Sequence, residues 1–206
     1  MKLVLASQSP RRAELLKQMA LPFSVRVCDI DESRRPDEAP AVYVERLAQE
    51  KSAVGFGLSV EQGMTADDLV TLGADTIVVV DEEILGKPRG PKEGMDMLAQ
   101  LSGKTHQVLT GVAVHRQDRR QSTVVSSQVT FRDLSPADIE RYWYTGEGAD
   151  KAGSYGIQGI GGILVAHIEG SFSAVMGLPV AETETLLQAV DVETWKLRDQ
   201  WLKNSS

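Results

Sequence analysis

The chain contains one cysteine, Cys28, in 206 residues. No disulfide can form within it, and no Cys/Cys or Cys/His pair stands at the spacing of a structural zinc site. Basic residues are also in deficit: 22 Lys and Arg against 29 Asp and Glu leave a formal charge of −7. Sequence-independent nucleic-acid binding depends on Lys and Arg that neutralise phosphates and release counterions, so nucleic acid is not an expected partner. A small anionic substrate stays open, because a local basic cluster attracts it whatever the net charge. Long apolar runs are missing as well. Met1-Lys2 leads directly into the strand-like Leu3-Val4-Leu5-Ala6, too short for a signal-peptide core, and no segment approaches membrane-spanning length. A cytoplasmic location with no membrane partner is expected. There is no internal repeat, low-complexity tract or linker.

The 42% hydrophobic and 25% charged content is that of an ordinary globular chain, and its length predicts one domain with two lobes over residues 1–206. Apolar periodicity and turn residues then place the elements. Residues 2–6 read as a strand, followed by a helix that starts at Ser9-Pro10, with Ser9 as N-cap and Pro10 in the first helical position. Residues 23–27 read as a short strand, 29–38 as a polar surface loop and 40–55 as a helix. Residues 55–68 read as a loop or frayed helix end. Leu69–Val80 reads as a long buried strand and residues 91–101 as a helix stopped at Gly103. Residues 106–116 and 121–131 read as a hairpin, and a helix starts at Ser135-Pro136, with Asp138 in its first turn complementing the helix dipole. Strands are expected over 163–168 and 171–175, and a helix over 182–190.

The strongest local signal is Ser7-Gln8-Ser9-Pro10-Arg11-Arg12. Two arginines in a first helical turn oppose the macrodipole, and a bound anion would reverse that sign. Backbone N–H groups, the hydroxyls of Ser7 and Ser9 and a guanidinium fork at a helix start suit phosphate; a capped surface helix with solvated arginines accounts for the same fragment. Asp75 is the second signal, since a carboxylate beside Ile77, Val78, Val79 and Val80 needs a partner or a metal if it is buried. It could serve as general base or metal ligand, or simply be satisfied by backbone groups. Lys51 interrupts the apolar stripe of Val44, Leu47 and Val54, and Lys87 sits between Gly86 and Pro88; either could clamp phosphate or be solvated. Glu32 lies in an acidic loop, where it is either solvated or an oxygen ligand to Mg²⁺ or Mn²⁺.

Residues 151–162 carry five glycines without forming a Walker loop or a GxGxxG fingerprint. Glycines let backbone approach a ligand closely, and the amide of Gln158 both donates and accepts, as reading a base edge requires; a bulged turn is the plainer account. His106, His115 and His167 lie in separate strand segments with no nucleophile motif, and Cys28 has no evident activating base. Histidine or thiol catalysis is therefore not expected.

Taken in order, Ser7-Gln8-Ser9-Pro10-Arg11-Arg12, Glu32, Lys51, Gly73-Ala74-Asp75-Thr76, Gly86-Lys87-Pro88, residues 151–159 and Gly177-Leu178-Pro179 resemble the Maf family of nucleotide pyrophosphatases. The resemblance implies an α/β fold like that of inosine triphosphate pyrophosphatases, with a mixed, strongly curved sheet, flanking helices, two lobes around a deep cleft and a homodimer. It also implies metal-dependent cleavage of a nucleoside triphosphate to monophosphate and pyrophosphate. Asp75 then accepts the proton of the attacking water, and Glu32 with Asp75 positions a divalent metal. Ser7, Ser9, Arg12, Lys51 and Lys87 hold the phosphates. Arg11, Thr76 and Gln158 resemble the branch that acts on dTTP and UTP; an aromatic residue, Gln and Glu at these positions would instead resemble the 7-methyl-GTP branch. A cell-division regulator that binds nucleotide without turnover is the non-enzymatic alternative.

Overall fold

The computed structural model describes residues 1–205. Its elements run β1 (Lys2–Ala6), α1 (Pro10–Gln18), β2 (Phe23–Val25), α2 (Pro40–Glu61), β3 (Leu69–Val80), β4 (Glu83–Leu85), α3 (Pro91–Leu101), β5 (Thr105–Arg116), β6 (Arg119–Phe131), α4 (Pro136–Trp143), β7 (Val165–Glu169), α5 (Phe172–Met176), α6 (Val180–Ala189) and α7 (Thr194–Ser205). Seven strands form one open mixed sheet in the order β2-β1-β3-β5-β6-β7, with β4 paired to β3. β1 is parallel to both β2 and β3, while β4 and β7 run antiparallel to their partners. The expected α/β class with a mixed sheet and flanking helices is therefore present. Among the described residues no helix is long and apolar enough to cross a membrane.

The chain divides into two compact units, and three long strands contribute residues to both. Unit 1 comprises Met1–Asp75, Thr110–Val124 and the chain from Gly177 onward; unit 2 comprises Thr76–Leu109 and Val125–Met176. In unit 1, Val4, Leu5, Leu16, Leu47 and Leu72 are fully or almost fully buried. In unit 2, Val78, Leu98, Val108, Val129, Phe131, Tyr155 and Leu164 form one apolar cluster. His106 joins its aromatic part, meeting Phe131 and Tyr155 edge-on and bonding the Tyr155 hydroxyl through Nε2 at 2.8 Å. Burial pushes its pKa down to about 4, so it is a neutral core residue at neutral pH.

Three local expectations need correction. Helix α2 does not end near residue 55 but continues to Glu61: Ser59 donates its hydroxyl to the carbonyl of Gly55 within the helix at 2.7 Å, and the N–H of the cap residue Gln62 donates to the carbonyl of Leu58. Residues 171–175 are not a strand. Ser171 accepts the N–H of Ala174 at its hydroxyl and that of Val175 at its carbonyl, and this serine cap turns the chain into α5. The strand expected from 163 begins at Val165, since Ile160–Leu164 coils into a 3₁₀ turn. The tail carrying Trp195 is a separate helix, α7.

Candidate active site

Lys51 reaches Asp75 because helix and strand touch through their backbones. A Cβ on Gly73 would lie 2.3 Å from the carbonyl oxygen of Ala48 and 2.6 Å from the nitrogen of Ser52. Only glycine lets α2 settle this closely on β3. Side chains two residues apart on a strand share a face, so Asp75 points to the side on which α2 lies. Lys51, one turn along that helix, places Nζ 2.7 Å from its Oδ1. The carboxylate singled out from sequence is part-buried and has a side-chain partner, an ammonium, rather than backbone groups alone.

Glu32 converges on the same ammonium, its Oε1 lying 2.6 Å from Nζ. The three side chains differ in shielding: Lys51 and Asp75 are 11% and 13% exposed, whereas Glu32 is 53% exposed. The inner pair is shielded, and the outer carboxylate is the one open to solvent. Two hard oxygen donors aimed at one cationic position suit Mg²⁺ or Mn²⁺, which bind through one or two carboxylates and take their remaining ligands from phosphates and water. No group of three or more His, Cys, Asp or Glu side chains able to hold a metal occurs among the described residues, so an all-protein cage is not what this site offers.

The helix start lies within the field of these acids. Burial is the largest influence on the Arg12 guanidinium and lowers its pKa, against the raising effects of Asp75 and Glu32; Arg11, its neighbour in the first turn, lowers it further. Arg12 is anchored by Nε on the carbonyl of Gly177 at 2.8 Å and by Nη1 on Ser7 Oγ at 3.1 Å. Ser7 is buried, and its Oγ also accepts the N–H of Ser9 at 3.1 Å. It therefore orders the loop and the guanidinium. Ser9 takes the extended backbone of an N-cap, yet its side chain makes no capping bond. The Gly177-Leu178-Pro179 motif acquires a role here, as the acceptor that orients Arg12.

Ser7, Ser9, Arg11, Arg12, Glu32, Lys51 and Asp75 all belong to unit 1, while Thr76, Lys87 and Gln158 belong to unit 2. Within unit 2 the Gly86-Lys87-Pro88 turn and the glycine-rich segment are joined by a bond from the N–H of Gly153 to the carbonyl of Gly86 at 3.1 Å. Lys87 and Gln158 are both exposed.

Sequence reasoning passed over two carboxylates. Glu38, almost fully buried, accepts both arms of the Arg46 fork, Nε at 2.6 Å and Nη2 at 2.9 Å. These bonds hold its pKa down to about 2. Glu147 accepts the N–H groups of Ile160 and Gly161 at 2.9 and 2.7 Å and the hydroxyl of Tyr142 at 2.8 Å. Burial raises its pKa, but these donors together outweigh that and leave it lowered. A signal for Glu38 existed in the i, i+8 pairing with Arg46; none existed for Glu147, whose main-chain donors lie 13 and 14 residues away.

The family model for Maf-like proteins matches residues 2–190. A protein of Pseudoalteromonas atlantica named dTTP/UTP pyrophosphatase is 51% identical over 190 residues, covering 92% of this chain and 97% of the relative. Proteins of the same name from Vibrio cholerae and Saccharophagus degradans are 51% and 48% identical, covering 90% and 94% of this chain and 96% and 91% of their own lengths. With a family model matched over most of its length and relatives at about half identity, the chain belongs to the Maf family.

Proposed function

We propose that this chain is a nucleoside triphosphate pyrophosphatase that cleaves dTTP and UTP to the monophosphate and pyrophosphate. The observation that carries the reading is the convergence of Asp75, Lys51 and Glu32 on one point within the field of Arg12. Asp75 takes the proton of a water whose oxygen bonds to the α-phosphorus. The bond from that phosphorus to its bridging oxygen breaks, and the electron pair leaves with pyrophosphate. Arg12, Lys51 and Lys87 neutralise the phosphate oxygens and the Ser9 hydroxyl donates a hydrogen bond to them, with Ser7 holding Arg12 in place. Glu32 and Asp75 would hold a divalent cation, which would supply Lewis-acid charge neutralisation. Gln158 reads the base, since a neutral amide that donates and accepts matches the O4 and N3–H edge of uracil or thymine; Arg11 and Thr76 complete the specificity set. A homodimer in the cytoplasm belongs to the same proposal.

The test is incubation of pure protein with dTTP, UTP, CTP and 7-methyl-GTP plus Mg²⁺ or Mn²⁺, with pyrophosphate separated from orthophosphate. Pyrophosphate from dTTP and UTP is the expected product, with the rate falling by about three orders of magnitude or more in Asp75→Asn as general-base and electrostatic contributions are lost together. Orthophosphate as the primary product rejects attack at the α-phosphorus, and preference for 7-methyl-GTP rejects the substrate assignment.

A further inference from the structure

Glu32 sits on a segment with no regular secondary structure between β2 and α2, yet its carboxylate is placed within 2.6 Å of Lys51. An exposed loop does not hold one side chain at such a point without restraint. The restraint comes from the first two turns of α2, the helix that also bears Lys51. Tyr43 donates its hydroxyl to the carbonyl of Glu32 at 2.7 Å, and Arg46 donates Nη2 to the carbonyl of Ser33 at 3.0 Å. The Arg46 fork closes on Glu38 at the far end of the segment, and Glu38 accepts the N–H of Arg35 at 3.0 Å. The guanidinium of Arg46 lies 5.5 Å from the centroid of the Tyr43 ring, so the two clamping side chains support one another. The Tyr43 phenol has a raised pKa, through burial first and then through Asp75 and Glu32, which places it in the field of both acids.

We infer that Tyr43 and Arg46 are positioning residues: they fasten the segment bearing Glu32 to the helix bearing Lys51, so that the outer carboxylate of the site is fixed before any ligand arrives. The inference rests on the proposed role of the Glu32–Lys51–Asp75 cluster. Neither residue touches the reacting atoms; both act through Glu32. The Arg46 fork cannot be replaced by an ammonium, because a lysine lacks the planar pair of donors that Glu38 accepts.

The experiment compares the full-length protein with Tyr43→Phe, Arg46→Lys, Glu32→Gln and the Tyr43→Phe/Glu32→Gln double variant, each checked for an unchanged melting transition. Tyr43→Phe removes one hydroxyl and keeps the ring, and is expected to lower kcat/KM for dTTP by about tenfold. In the Glu32→Gln background the same change is expected to add nothing further. Amide exchange of residues 31–35 is expected to quicken in Tyr43→Phe and Arg46→Lys, with β1 and β3 unaltered. An equal loss in both backgrounds overturns the inference, as does native exchange in residues 31–35. Absence of pyrophosphate release by the unmodified protein sinks the proposed function instead, and the exchange measurement still decides the positioning role.

Discussion

Two irregular segments carry residues singled out from the sequence, 29–38 in unit 1 and 151–162 in unit 2, and each is organised by a carboxylate in a different way. Glu38 is gripped by the long side chain of Arg46 and by the N–H of Arg35. A guanidinium spans several ångströms, so the segment around Glu38 needs no glycine. Glu147 is gripped mainly by main-chain N–H groups, which must come close to it. A Cβ on Gly159 would lie 1.7 Å from its Oε1, so a side chain there is incompatible with the arrangement. The difference teaches how glycine clusters should be read: part of the glycine content of residues 151–162 makes room for the protein's own carboxylate.

Acid separates the two segments most sharply. His106 bonds Tyr155, which belongs to the glycine-rich segment, and its folded pKa is about 4 against the usual 6.5. The unfolded chain therefore binds the extra proton first. Stability is whole above about pH 6.5 and falls as the pH drops toward 4, by about 3 kcal/mol. Glu38 also has a depressed pKa, but its contribution is whole above its unfolded value of 4.5 and is lost only as the pH falls toward 2. Between pH 6.5 and 4.5, urea unfolding should show a loss of stability that shrinks in His106→Gln. Amide exchange over the same window should quicken around Tyr155 before residues 31–38; the reverse order contradicts the assignment.

Removal of the second carboxylate comes next. Glu147→Ala strands two N–H groups and the Tyr142 hydroxyl, at a cost of about 2 kcal/mol. If the segment presents Gln158 to the base, discrimination between UTP and CTP should weaken more than kcat for UTP, measured as the ratio of their kcat/KM values. Equal discrimination in the variant would separate the segment from base selection.

A third carboxylate provides the control, outside both segments. Asp138 and Ser135 form a capping box at the start of α4, each accepting the backbone N–H of the other. Ser135→Ala should cost about 1 kcal/mol in chemical denaturation and leave hydrolysis rates unchanged.

The elements with local signals were the legible ones. Valine-rich β3 and Pro-started, Gly-stopped α3 have the bounds their sequences announce, because burial and termini are written in adjacent residues. Lys51 was conspicuous as a charge on an apolar stripe, and its partner Asp75 as a carboxylate in a buried strand. Each was found separately; their pairing depends on Gly73, whose meaning appears only when α2 is laid on β3. The 171–175 segment was misread because a short alternating pattern suits a strand, while the serine that caps it acts through one hydroxyl. Glu38 and Glu147 escaped because a lone acid in a polar loop looks solvated until its distant donors are in place.

The backbone contact at Gly73 has a mechanical consequence. Where helix and strand are separated by side chains, a change of rotamer or a conservative substitution can alter their spacing by a fraction of an ångström. Here the separation is set by main-chain atoms meeting main-chain atoms, which no exchange of neighbouring rotamers can reset. The spacing of the two backbones that carry the ammonium and the inner carboxylate therefore inherits the stiffness of the peptide framework, and mutations elsewhere in the core can soften the protein well before they detune that spacing.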